Sequence, residues 1–89
     1  MSDLLHIYII PRPGVTLTQV TQKMNLALDW FRYDDTCWIV HTTSDPQKWF
    51  ARLEHLVKPG GNILIFHFDT DNYFGWMPKQ LWDWIREKK

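Results

Sequence analysis

The sequence predicts an α+β sandwich, and three observations carry that expectation. Segments of strand and helix character follow one another in the order strand, helix, strand, strand, helix, strand. At the centre, Trp30-Phe31-Arg32-Tyr33 and Thr36-Cys37-Trp38-Ile39-Val40 are aromatic and β-branched stretches separated by Asp34-Asp35, which is how a hairpin reads. The first and last strands are apolar on both faces. This order is the split β-α-β-β-α-β arrangement of a ferredoxin-like domain. It is expected as an antiparallel sheet with two helices on one face and an extra short C-terminal helix. The fold hosts many unrelated activities and does not by itself define one.

Each element has a local cause. Residues 4–10 are apolar apart from His6, as a central strand buried on both sides requires. Pro11-Arg12-Pro13-Gly14 ends the run and turns the chain. Thr16, with Gln19 three residues on, makes a capping box. Leu17, Val20, Met24, Ala27, Leu28 and Phe31 follow at helical spacing, with Thr21, Gln22, Asn25 and Asp29 outward. The spacing predicts a helix over 17–29. Residues 30–33 and 36–42 are the hairpin strands. Ser44 is the expected start of the second helix, with Pro46 in its first turn and Gln47 at the capping-box position. Trp49, Phe50, Leu53, Leu56 and Val57 form its apolar stripe, and Lys58-Pro59-Gly60-Gly61 stops it. Residues 62–68 are the last strand, and Pro78 opens a third helix with Leu81, Trp82 and Ile85 inward. No linker, repeat or low-complexity tract divides residues 1–89, so one domain is expected.

The sheet poses a covering problem. Leu5, Ile7 and Ile9 oppose Leu4, Tyr8 and Ile10, while Ile63 and Ile65 oppose Leu64, Phe66 and Phe68. Two helices on one face leave the other to be buried by something else. The third helix can fold over it, or a second copy can pair with it sheet on sheet. A helix of about eleven residues is only ~16 Å long, too short to shield four strands, which favours a homodimer.

Composition narrows the function classes. Ten basic and ten acidic side chains give no net charge, whereas strong nonspecific attraction to phosphates needs a concentrated positive field. The one basic run, Arg86-Glu87-Lys88-Lys89, suits a solvated helix end. Six Trp among 89 residues are expected mostly to fill the core of a chain too short to rely on small side chains, the alternative being a surface rich in aromatic anchors for a partner. Cys37 has no partner for a disulfide, which fits a reducing, cytoplasmic setting. No apolar run has the length of a membrane span. The acidic opening Met1-Ser2-Asp3 lacks the basic flank of a signal peptide.

Three pieces of the chain carry a resemblance. Tyr8 followed by Pro13-Gly14, the stretch from Trp30 through Trp38-Ile39-Val40-His41-Thr42, and Asn62-Ile63-Leu64-Ile65 with the later Gly75-Trp76 resemble short bacterial proteins of the "SinR family". These are in turn similar to the ferredoxin-like CRISPR adaptation endoribonucleases and to virulence-associated protein D. The resemblance implies a small homodimer in a nucleic-acid-related defence or toxin–antitoxin setting. It also implies Tyr-Asp at the end of the first strand, with the Asp holding a divalent metal at the dimer seam. Here Tyr8 is followed by Ile9, which offers no oxygen ligand. Neither a metal nor a cofactor is therefore expected.

Two groups of side chains remain as candidates. His6, His41 and His67 fall at strand ends that the expected sheet brings to one edge, and His41 keeps the phase of Ile39 as His67 keeps that of Ile65. Neutral imidazoles there suit zinc binding or general-base work, but strand-end His are also ordinary hydrogen-bonded fillers. His55 falls on the outer half of the second helix. Asp69 and Asp71, in Asp69-Thr70-Asp71-Asn72, suit a cation or an acid–base pair, but the same residues form ordinary turns, as Asp34-Asp35 do. The second group is aromatic: Tyr8, Phe66, Phe68, Tyr73, Phe74 and Trp76, the last two flanking flexible Gly75. Such residues suit docking onto a second copy, a protein partner or stacked bases. The leading expectation is a non-catalytic dimeric interaction module. The alternative is a small endoribonuclease using His6, His41, His67, Asp69 or Asp71.

Overall fold

The structure, a computed structural model, describes residues 2–88; Met1 of the acidic opening and Lys89 of the basic run lie outside the described residues. The elements are β1 (Asp3–Ile10), α1 (Leu17–Met24), β2 (Asp29–Asp34), β3 (Cys37–Thr42), α2 (Pro46–Val57), β4 (Asn62–His67) and α3 (Lys79–Lys88). The protein is an α+β fold with one four-stranded sheet in the order β2-β3-β1-β4. Every neighbouring pair is antiparallel.

Strand alternation sorts the side chains into two cores. On one face, Leu5, Ile7 and Ile9 of β1 and Trp38 and Val40 of β3 pack under Val20 and Met24 of α1 and Trp49, Leu53, Leu56 and Val57 of α2. Two indoles there have hydrogen-bond acceptors. Trp49 Nε1 donates to Thr42 Oγ1 at 3.0 Å in a buried setting, and Trp30 Nε1 donates to Asn25 Oδ1 at 2.8 Å. On the other face, Leu4 and Ile39 meet Leu81 and Ile85 of α3. Phe31 packs against Trp84 with ring centroids 5.9 Å apart.

Two expected boundaries are corrected. The first helix ends at Met24 instead of running to residue 29. Leu26 and Ala27 close tight turns onto Lys23 and Met24, and the Leu28 amide then donates to the His41 carbonyl at 2.8 Å. Pairing with β3 therefore captures the chain before helical periodicity runs out. Leu28, counted as core by its spacing, is exposed, and Asp29 begins a strand. The second helix is capped by Asp45 and not Ser44. Pro46 occupies the first turn, and Asp45 Oδ1 accepts from the Lys48 amide at 2.8 Å. Ser44 Oγ instead accepts from the Arg52 guanidinium at 3.1 Å. The Thr16–Gln19 capping box is present on both sides.

Two contacts set the frame of the sheet. At Gly61, any Cβ would fall on the Ile10 carbonyl oxygen, so only glycine allows the turn after α2 to pass so close to β1. At the far end, Asp29 Oδ2 accepts from Trp84 Nε1 at 2.9 Å and pairs with Lys88 Nζ at 2.8 Å. The first residue of β2 thereby ties down the last turns of α3.

Candidate functional site

The second face of the sheet is divided. α3 lies over the β2–β3 half, and the β1–β4 half is left open. In register, Tyr8 pairs with Leu64, His6 with Phe66, and Ile10 with Asn62, so Tyr8, Ile10, Leu64 and Phe66 share the open half. Leu64 is 60% and Phe66 45% exposed, unusual for adjacent same-face positions on a strand. β4 also forms one edge of the sheet. A contiguous apolar patch on an edge strand is the kind of surface that monomeric proteins blunt with charge or cover.

The aromatic segment after β4 splits into an inner and an outer set. Phe68 and Tyr73 belong to the core beneath α3, with ring centroids 5.3 Å apart, and Tyr73 stacks on Trp82 at 5.8 Å and 22°. Phe74 and Trp76 stand outside at 105% and 98% exposure. Of the expected docking residues, Tyr8, Phe66, Phe74 and Trp76 reach the surface, while Phe68 and Tyr73 hold the segment in place. The neighbouring cations are engaged. Lys79 Nζ pairs with Asp83 Oδ2 at 2.7 Å, Arg86 pairs with the same carboxylate, and Lys88 is held by Asp29. Lys79 and Arg86 hold the Asp83 carboxyl below its ordinary range.

Between the open patch and α3 lies a hydrogen-bonded chain of side chains. His6 Nε2 is 2.5 Å from the Tyr33 hydroxyl, and the His6 ring stacks on Phe66 at 4.7 Å and 15°. Tyr33 reaches it because β2 and β3 slip register between Arg32 and Asp34. The extra residue of that bulge is Tyr33, and bulges re-aim side chains in this way. Burial, with the Cys37 thiol hydrogen-bonded alongside, pushes the phenol up to about 12. Burial also lowers the His6 imidazole below its ordinary 6.5. Both groups are thus neutral at pH 7 and share one hydrogen bond, while His6 Nδ1 is a buried atom with no partner. Beside the pair opens a cavity of about 280 Å³ lined by Tyr33, Phe68, Tyr73, Trp82, Leu81 and Ile85, with Phe74 and Trp76 at its mouth.

The histidines do not converge. His6, His41 and His67 do sit toward one end of the sheet, but His41 pairs with Leu4 and His67 with Leu5. Adjacent β1 residues face opposite ways, so His41 and His67 lie on opposite faces. The shared phase with Ile39 and Ile65 fails as a guide because Ile39 pairs with His6 and Ile65 with Ile7. His55 is exposed on α2. Asp69 Oδ1 accepts from the Asp71 amide at 2.9 Å, forming a self-capped turn, and both carboxylates are exposed. Among the described residues, no group of three or more His, Cys, Asp or Glu is arranged to hold a metal ion.

Tyr33, Cys37 and Asp29 were not singled out for these roles by sequence reasoning. The hairpin spacing marks Tyr33 as a strand end, but a bulge that turns it toward His6 leaves no composition signal. No family model matches the chain, and no curated protein or solved structure matches it either. No helix among the described residues is long and apolar enough to cross a membrane. Fold and surface together define a small α+β protein whose sheet is covered on one face and half covered on the other.

Proposed function

We propose that this chain is a non-catalytic, cytoplasmic interaction module that pairs with a second copy of itself through the open β1–β4 half of its sheet. The observation that carries the reading is the patch formed by Tyr8 and Ile10 of central β1 with Leu64 and Phe66 of edge strand β4. A ten-residue α3 leaves that patch bare, and a sheet-on-sheet contact buries it twice over. A protein surface is favoured over nucleic acid as any further partner, because Lys79, Arg86 and Lys88 beside the aromatic segment are already ion-paired and stacking platforms work with a basic groove.

The ferredoxin-like assignment belongs to the same proposal. It is supported by the β-α-β-β-α-β order of the first six elements and by a sheet with β1 central beside β3 and β4; α3 on the second face sets this chain apart. The resemblance to the bacterial SinR-family proteins fits a dimer in a defence or toxin–antitoxin setting. The alternative endoribonuclease would have to draw on His6, His41, His67, Asp69 and Asp71, which a single copy does not gather.

Sedimentation equilibrium of the wild-type chain is expected to give a dimer. Leu64→Asp and Phe66→Asp, each placing a charge in the contact, are expected to give monomers with at least a tenfold weaker association, since a buried unpaired charge costs several kcal/mol. A wild-type chain that stays monomeric at millimolar concentration overturns the reading. So does RNA cleavage that His41→Ala or His67→Ala abolishes without unfolding the chain.

A further inference from the structure

The cavity beneath Phe74 and Trp76 adjoins the dimer patch through the His6–Phe66 stack and has a chemistry of its own. Its walls are aromatic and aliphatic, and no Asp, Glu, Lys or Arg lines it. Among the described residues, the side-chain polar groups lining it are the Tyr73 hydroxyl, the His6–Tyr33 pair and the Trp ring nitrogens. A dry apolar cavity of ~150 Å³ is enough to bind benzene, so about 280 Å³ has the size for two fused rings. His6 and Tyr33 are held neutral by burial and no cationic side chain among the described residues lines the site, so it offers no compensation to an anion, whose unpaired charge is costly to bring in. The Tyr33 hydroxyl oxygen, whichever way its hydrogen bond to His6 Nε2 runs, keeps a lone pair that can accept from a ligand N–H, while His6 Nδ1 is buried with no partner. At the mouth, Phe74 and Trp76 extend into solvent on either side of Gly75, within reach of any ring that enters.

We propose that this cavity is a binding site for an uncharged planar aromatic ligand of one or two rings bearing a hydrogen-bonding group, oriented by the His6–Tyr33 pair. The ligand is recognised by shape and stacking on the ring-lined walls, and by one polar contact at the sheet. Anionic analogues are rejected by desolvation. Pairing of two copies through the β1–β4 patch is not required, so the two readings stand or fall separately.

The test is an NMR titration of the full ¹⁵N-labelled chain with three probes: indole, naphthalene and indole-3-acetate. Indole and naphthalene are expected to shift the Gly75 amide and the Trp82 indole N–H saturably, while the anion leaves both unmoved. Tyr33→Phe keeps the ring and removes only the hydroxyl. It is expected to weaken indole ~fivefold, the equivalent of one net hydrogen bond, and to change naphthalene less than twofold. The wild-type titration carries the first half of the test even if the variant is unstable. No saturable shift with either neutral probe overturns the proposal, as does equal binding of indole-3-acetate, or an indole affinity that Tyr33→Phe leaves unchanged. A monomeric chain that still binds indole upholds this site while refuting the dimer, and a dimer blind to both neutral probes does the reverse.

Discussion

His6 shows how far one side chain's environment departs from its sequence neighbourhood. It interrupts an apolar run, and its ring is half-buried between Phe66 and Tyr33. Burial lowers its folded-state pKa below 6.5, so the unfolded chain takes up a proton more readily than the folded one. Its contribution to stability is therefore complete above pH 6.5, declines as pH falls below that value towards the folded pKa, and is flat beyond. Urea midpoints measured from pH 8 to pH 5 are expected to fall over that window for the wild type. The fall is expected to shrink in His6→Gln, which cannot titrate; an equal fall in both would assign the effect to other groups. That His6 faces away from the main core was legible from its phase opposite Leu5 and Ile7. Its partner was not, because Tyr33 arrives through a slipped register that only pairing with β3 creates. His41 and His67 misled for the same reason: phase within a strand fixes a face only once the register with the neighbouring strand is known.

At the scale of elements, capping and stop signals were read well, and the segment between α1 and β2 was read poorly. The Thr16–Gln19 box, the Pro46 start and the Pro59-Gly60-Gly61 stop are local chemistry and appear where the residues put them. Leu28 and Asp29 continue a helical pattern but are taken by β3, a tertiary contact that outweighs a few tenths of a kcal/mol of propensity per residue. That capture gives Asp29 its role. Its hydrogen bond to Lys88, with those from Trp84 and the Trp30 amide, holds its carboxyl below 3.8. This contribution is present above about pH 3.8 and is lost as pH falls through the lower folded value. Asp29→Ala removes both ties to α3 and is expected to raise local opening of that helix ~tenfold in hydrogen exchange, the scale of one or two partly exposed hydrogen bonds. Exchange in β1 is expected to be unchanged. Uniform loss across the sheet would show that Asp29 supports the whole fold and not one helix.

At the scale of the molecule, two cores share one sheet and only one of them is fully covered. The apolar two-faced strands announced this arrangement, and the length of the last helix announced that its cover would be incomplete. Where α3 would lie was not legible, because the Asp29–Trp84–Lys88 contacts that draw it to β2 span 55 residues between the Asp29 and Trp84 side chains. In Leu64→Asp, the melting temperature at low protein concentration is expected to stay within about 3 °C of wild type, as exposed substitutions outside a core do, whereas Phe66→Asp also loses the stack on His6 and is expected to melt lower. A drop in Leu64→Asp as large as that in Phe66→Asp would mean that Leu64 packs against its own chain. Tyr8, Ile10, Leu64 and Phe66 point away from the helices that secure β1 and β4, and α3 does not reach over them. If the patch is the proposed pairing surface, its outward side chains can be changed to alter what the chain pairs with, without touching the inward ones that hold the core.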